Sequence, residues 1–413
     1  MFDLAVIGAW MEFALRWLHV ITAIAWIGSS FYFIALDLGL RKAPGLPEGA
    51  QGEEWQVHGG GFYHIRKFNV APAEMPAHLT WFKWESYATW LSGFALLAVM
   101  YYLGAEFYLI DPEVRDLAIW QAVAISTASL GLGWVVYDRL CKAFVEVNQN
   151  ALMLALFVVL VGMAWFYAQV FSGRAALLHL GAFTATIMSA NVFFIIIPNQ
   201  KIVVADLIAG RRPDPQYGKI AKQRSTHNNY LTLPVIFLML SNHYPLAFAT
   251  EWNWVIASLV FLMGVTIRHW FNTRHARAGN PHWTWAATVI IFIAIMWLSV
   301  APMRGASDDL SALPPSAARF AQAEGFEEVH MIVLGRCSMC HADEPNWPGL
   351  HWAPGGVALE SEAQVAIWAR EIYLQSARSH AMPPGNLAWM QDDEREAIRA
   401  WYRGAVSARA AGS

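Results

Sequence analysis

Phe13 to Leu36 reads FALRWLHVITAIAWIGSSFYFIAL, twenty-four residues in which Arg16 is the only fully charged side chain. A bilayer core is about 30 Å thick and offers no partner to an exposed peptide group, so a span needs roughly 20 mainly apolar residues coiled as a helix. The segment meets that requirement. Seven further stretches repeat it: Tyr87 to Leu103, Leu117 to Tyr137, Ala151 to Phe171, Ala175 to Pro198, Tyr230 to Phe248, Trp252 to Phe271 and Trp283 to Ala301. The sequence therefore predicts an all-α architecture, an eight-transmembrane-helix bundle over residues 1–302. A linker at 303–316, containing Pro314-Pro315, and a small soluble domain at 317–413 follow.

Composition supports the division. Of 413 residues, 56% are hydrophobic and 14% charged, against roughly a quarter charged in a soluble domain, which excludes an ordinary soluble enzyme. Through Pro302 there are 19 Lys+Arg and 17 Asp+Glu; beyond it there are 9 and 14. Neither part is basic enough for a nucleic-acid partner. No internal repeat, low-complexity tract or phosphate-cradling glycine motif is present.

Orientation follows from Lys and Arg, which are retained on the cytoplasmic side. The odd-numbered connections hold sixteen of them, from Arg41 to Arg277, and the even-numbered ones only Arg115 and Arg174. Both termini are thus expected outside, the localisation being a bacterial inner membrane with the tail periplasmic. Met1-Phe2-Asp3 lacks the basic start of a signal peptide. Two long connections, Gly39 to Glu85 and Asn199 to Asn229, fall on the cytoplasmic face and read as loops.

The tail contains Cys337-Ser338-Met339-Cys340-His341, a C-x-x-C-H. This is the attachment signature of c-type haem, with two thiols for the vinyl groups and His341 for the iron. A redox dithiol or half a zinc site is the alternative, but no second ligand pair or βαβ pattern accompanies it. Met382, in His380-Ala381-Met382-Pro383-Pro384-Gly385, is the expected second iron ligand, with His380 and His351 as alternatives. Asp392 to Arg403 reads as an amphipathic helix with Ile398 and Trp401 inward, and the whole tail resembles a class I cytochrome c.

Histidines in spans are costly without a role or a partner. His19, His179 and His243 lie toward the outer face, and neutral imidazoles from facing helices can ligate b-type haem. Helix-to-helix hydrogen bonding is the bland alternative. The run Trp17 to Gly28 resembles the first helix of small haem-binding membrane protoporphyrinogen oxidases, which implies a haem ligand at His19.

Taken together, the eight spans, the long first loop, the stretch Arg224-Ser225-Thr226-His227-Asn228-Asn229-Tyr230-Leu231-Thr232-Leu233-Pro234 and the terminal C-x-x-C-H domain resemble the bacterial membrane-integral, cytochrome c-linked urate oxidases (urate hydroxylases). The resemblance implies oxidation of urate to 5-hydroxyisourate, with electrons passing to the covalent haem and then to a respiratory-chain acceptor, not directly to dioxygen. A planar purine monoanion needs amide side chains, a cationic or N–H partner and an aromatic face. His227, Asn228, Asn229 and Tyr230 supply that chemistry, with His227 as general base. Asn228-Asn229 as a simple helix cap is the bland alternative, and Glu85, Lys83 and His78 are candidates to complete the pocket. Oxidation at the cytoplasmic face would need a relay across the membrane, for which the histidines allow one or two b haems; an outward site needs one or none. The rival reading is a quinol-fed b/c electron-transfer cytochrome.

Overall fold

Each of the eight apolar stretches falls mainly on a helix in the computed structural model, which describes residues 4–68, 75–111, 114–144, 148–300, 310–313, 315–342, 344–350, 353–354 and 357–412. Most of the linker, and His351, lie outside the described residues. The chain divides into two compact units, Met1–His243 with Ala247–Met296, and Tyr244–Leu246 with Trp297–Ser413.

The first unit runs through α1 (Leu4–Gly39), β1 (Ala50–His58), β2 (Gly61–Phe68), α2 (Trp84–Leu97) and the short α3 (Ala105–Tyr108). It continues through α4 (Ile119–Ala143), α5 (Gln149–Ala168), α6 (Gly173–Ala190), α7 (Ile197–Ile208), α8 (Pro215–Leu240), α9 (Asn253–His275) and α10 (Trp283–Val300). Among the described residues, six helical rods are long and apolar enough to cross a membrane: Trp10–Gly39, Ile119–Ala143, Gln149–Ala168, Gly173–Ile208, Asn253–His275 and Trp283–Val300. The second and sixth stretches are helical but fall short of that measure. α2 has only 14 residues before it widens into a π-turn, Ala98–Tyr102, and the first half of α8 is polar. The outward faces of α1 and α10 are apolar, with Ile24 66% and Ile290 67% exposed, a surface suited to lipid and not to water.

Two expectations are corrected. The fold is not purely α, because the Gly39 to Glu85 connection contains an antiparallel hairpin pairing Ala50↔Phe68 through His58↔Gly61. Gly59 and Gly60 both take positive φ, +59° and +80°, as a two-residue turn between right-twisted strands requires. Trp55 stacks on its cross-strand partner His64 at 4.2 Å, and Tyr32 of α1 donates to Gln56 Oε1 at 2.7 Å. Nor is Asn199 to Asn229 a loop. α6 passes through a π-turn (Asn191–Ile196) into α7, and α8 begins at Pro215. Pro198 lacks the N–H that would bond back one turn, and the helix widens just ahead of it.

Small residues set the helix contacts. Gly133 of α4 lies so close to Phe183 of α6 that a Cβ there would meet the ring at 2.0 Å. On α9, Gly264 makes the notch for Pro234 of α8, with a Cβ–Cδ approach of 2.5 Å.

The second unit packs α11 (Pro315–Ala321), α12 (Phe326–Arg336), α13 (Glu362–Ile367), α14 (Ala369–Ile372) and α15 (Asp392–Gly412). Its core joins Val329 and Val333 of α12 to Ile398 and Trp401 of α15. Ile398 and Trp401 point inward, as the amphipathic spacing expects, and the Trp401 indole donates to Phe320 O at 2.9 Å.

The glycine contacts generate a pair of opposite outcomes. Gly133→Ala forces Phe183 to move and is expected to cost about 1–3 kcal/mol. Gly131→Ala, with nothing within 4 Å of its added Cβ, is expected to stabilise by about 1 kcal/mol through helix propensity. Thermal unfolding of the two variants in detergent checks both signs.

Candidate functional site

Polar side chains inside an apolar bundle persist where each finds a partner, and one group of them lies along the side of α8 that faces α4 and α6. Tyr137 and Asp138 come from α4, Asn191 from the start of the π-turn, and Arg224, His227 and Asn228 from α8. All six are at least 94% buried, and Asn191 is completely so. π-turns often mark functional positions.

The direction of the hydrogen bonds follows from one backbone group. The Met188 carbonyl can only accept, and Asn228 Nδ2 donates to it at 2.9 Å. Asn228 Oδ1 therefore accepts from Asn191 Nδ2 at 3.0 Å, and the same Nδ2 donates to the Tyr137 hydroxyl at 3.0 Å. That hydroxyl lies 2.8 Å from His227 Nδ1; with the hydroxyl as donor, the proton of a neutral His227 sits on Nε2. Asn191 Oδ1 faces no partner.

Beside this chain, Arg224 Nη2 donates to Asp138 Oδ1 at 2.8 Å, while the Arg224 guanidinium lies 4.9 Å from the centroid of the Tyr137 ring. Lys142 shares the same carboxylate at 2.6 Å. Arg224 Nε and Nη1 have no partner among the described residues. Cys141, a free buried thiol, stands 3.9 Å from His227 Nδ1.

The four residues read as a catalytic set do not converge. His227 and Asn228 join the group on α4 and α6. Asn229 belongs to a second polar group, where its Oδ1 accepts from Arg268 Nε at 3.2 Å and Asn272 Nδ2 at 3.0 Å. Arg268 also donates to Asn272 Oδ1 at 3.0 Å and lies 4.4 Å from the Phe31 ring centroid. Half-buried Tyr230 is within electrostatic reach of Arg268. One helix thus presents different neighbours to Asn228 and Asn229, and the cap alternative falls because both lie in the middle of α8. No hydrogen bond or ion pair among the described residues joins His78, Lys83 or Glu85 to His227. Sequence reasoning missed Tyr137, Asp138 and Asn191; the signal was three polar residues inside otherwise apolar spans.

The outer histidines are separate. His19 Nδ1 approaches Thr89 O at 3.1 Å and Ser92 Oγ at 3.3 Å, which Gly93 permits, since a Cβ there would meet the His19 ring at 2.7 Å. His19 Nε2 is left over. His179 has both nitrogens engaged, Nδ1 with Ala175 O and Nε2 with Ser126 Oγ, each at 2.8 Å; as placed, it offers iron no lone pair, and helix-to-helix bonding describes it. His243 is exposed in a short 3₁₀ turn. No hydrogen bond or ring contact among the described residues joins these three.

In the second unit, Cys337 follows α12 directly, and Cys337 and Cys340 are both free thiols. Desolvation pushes Cys337 up to about 12 and raises Cys340 as well. His341 Nδ1 donates to Val357 O at 2.8 Å, which fixes the ring and leaves the Nε2 lone pair for a ligand, as ligating histidines usually do. Met382 is half-buried on a loop held by the buried Arg395, whose guanidinium donates to Met382 O at 3.0 Å, Asn386 Oδ1 at 3.2 Å and Ser376 O. His380 is exposed. No cluster of three or more His, Cys, Asp or Glu among the described residues is arranged to hold a bare metal ion. The residues present fit a covalently held haem.

Among known families, the model described as urate oxidase N-terminal matches residues 5–299. No curated protein and no solved structure matches.

The shared carboxylate predicts an asymmetry. Asp138→Leu leaves the buried Arg224 without its counter-ion and is expected to cost about 3–5 kcal/mol. Arg224→Gln leaves Asp138 still paired with Lys142 and is expected to cost less. Melting midpoints in detergent check the order.

Proposed function

The chain belongs to the urate oxidase N-terminal family, and on that premise we propose that it is a membrane-bound oxidoreductase converting urate to 5-hydroxyisourate. Water adds to the ring as two electrons and two protons leave. The observation that carries the reading is the matched region itself, within which lies a buried cluster that combines a cation, amides, an aromatic ring and an imidazole. Those groups are what a planar purine anion requires.

His227 is the proposed base. Its Nδ1 receives a proton by way of the Tyr137 hydroxyl, while the cluster's burial keeps bulk water from competing. Asn228 orients the amide chain that sets this direction. Asn229 and Tyr230, on the other side of α8, support the helix from the Arg268 group.

In the second unit, Cys337 and Cys340 would hold a c-type haem covalently, and His341 and Met382 would ligate its iron. When bound, that haem supplies one-electron acceptance, so that reducing equivalents go to a respiratory-chain acceptor and not directly to dioxygen. The protein is proposed to lie in a bacterial inner membrane, with eight spans and the haem-bearing unit on the periplasmic side. Of the b-haem candidates, His19 is the best supported, because Nδ1 is engaged and Nε2 is free.

Three outcomes are expected. Under anaerobic mixing, urate reduces the c haem of the purified protein; reduction by quinol with indifference to urate would favour the electron-transfer reading instead. The double variant Cys337→Ala/Cys340→Ala loses haem stain on a denaturing gel, and retention of stain would refute the c-type assignment. His227→Ala lowers turnover by about 10²–10⁴-fold, the usual share of a general base, with the c-haem spectrum intact.

A further inference from the structure

Unpaired polar atoms are rare in protein interiors because each forfeits a hydrogen bond it had in water. The α4–α6–α8 cluster contains three: Arg224 Nε, Arg224 Nη1 and Asn191 Oδ1. Arg224 is 1% exposed and Asn191 0%. Their roles are settled by the surrounding bonds. Both hydrogens of Asn191 Nδ2 are spent on Tyr137 and Asn228, so Oδ1 is an acceptor waiting for an N–H. The guanidinium nitrogens can only donate.

Charge points the same way. Arg224 divides the one carboxylate of Asp138 with Lys142, whose side chain is 63% exposed, so the buried guanidinium keeps a shared counter-ion and two nitrogens without an acceptor. An occupant that completes the group presents acceptors, best carried by an anion, toward Arg224, and an N–H toward Asn191. Tyr137 ties the two sites together, since it touches both the Arg224 guanidinium and the Asn191 amide.

We infer that Arg224 and Asn191 are the substrate-recognition pair, Arg224 as receptor for the negative charge of a planar N-heterocyclic anion and Asn191 as reader of one of its N–H groups. This rests on the urate reading above. Asp138 acts as a positioning residue that aims the guanidinium. The pair sets specificity: a purine methylated at the N–H that Asn191 reads loses its bond and leaves Oδ1 buried and unpaired.

The test uses the full-length protein in detergent, with anaerobic urate-driven reduction as the readout and melting midpoints measured alongside. Loss of a hydrogen-bonded charge is worth about 10- to 100-fold in binding. Arg224→Gln is expected to raise KM for urate by about that factor while changing kcat much less, and Arg224→Lys is expected to recover part of the loss. Across the mono-N-methylated urates, the wild-type protein should reject at least one isomer that Asn191→Leu accepts. A folded Arg224→Gln with wild-type KM, or an isomer profile unchanged by Asn191→Leu, overturns the inference. If Arg224→Gln does not fold, a folded Arg224→Lys with wild-type KM and an unmoved isomer profile overturn it equally. A wild-type protein inert toward urate overturns the functional reading, and the inference falls with it; active wild type with unmoved variants overturns the inference alone.

Discussion

A guanidinium enclosed by apolar helices cannot shed its charge and cannot reach water, so it must be met by a carboxylate or an equivalent anion. Asp138 meets Arg224, and the first unit is arranged around that pair. The bond ties α4 to α8 at the depth where Asn191 enters from α6. Tyr137, the neighbour of Asp138 in sequence, is thereby brought against His227. A buried ion pair does not by itself stabilise a fold, because desolvation offsets the attraction. Its value lies in registration: α4 and α8 cannot slide past one another without stranding a charge.

The second unit solves a different problem with similar means. Arg395 is also buried, but its partners are two backbone carbonyls and an amide oxygen, all within the segment from Ser376 to Asn386. One side chain on α15 thus fixes the loop that bears Met382. Arg336, at the end of α12, is held by both oxygens of Glu394 and by Ala388 O, which anchors the helix immediately before Cys337.

Much of the helical layout was legible because length and apolar content alone decide whether a segment coils in lipid. The hairpin is legible in principle, since Trp55 and Val57 alternate with polar residues ahead of Gly59-Gly60, but its strands are short and polar beside the apolar spans, so the connection reads as a loop. The polar half of α8 was mistaken for a loop because Arg224 to Asn229 lacks an apolar face; tertiary partners, and not propensity, hold it helical. His227 and Asn228 could be singled out from composition. Tyr137 and Asp138 at the end of one apolar run and Asn191 within another are visible as polar residues, but only the packing of α4, α6 and α8 shows that they meet.

The helix that carries Asn191 runs unbroken for 36 residues, from Gly173 to Ile208, or about 54 Å at 1.5 Å per residue. That is nearly twice the hydrocarbon depth of a bilayer. At the tilts of about 0–40° usual for membrane helices, a rod of this size outgrows the acyl region, and its basic end, with Arg211 and Arg212 just past the last turn, would form a stalk at the level of the phosphate headgroups. Anionic phospholipid should then grip the stalk, and the lipid mixture around the protein becomes a lever on how far that stalk leans.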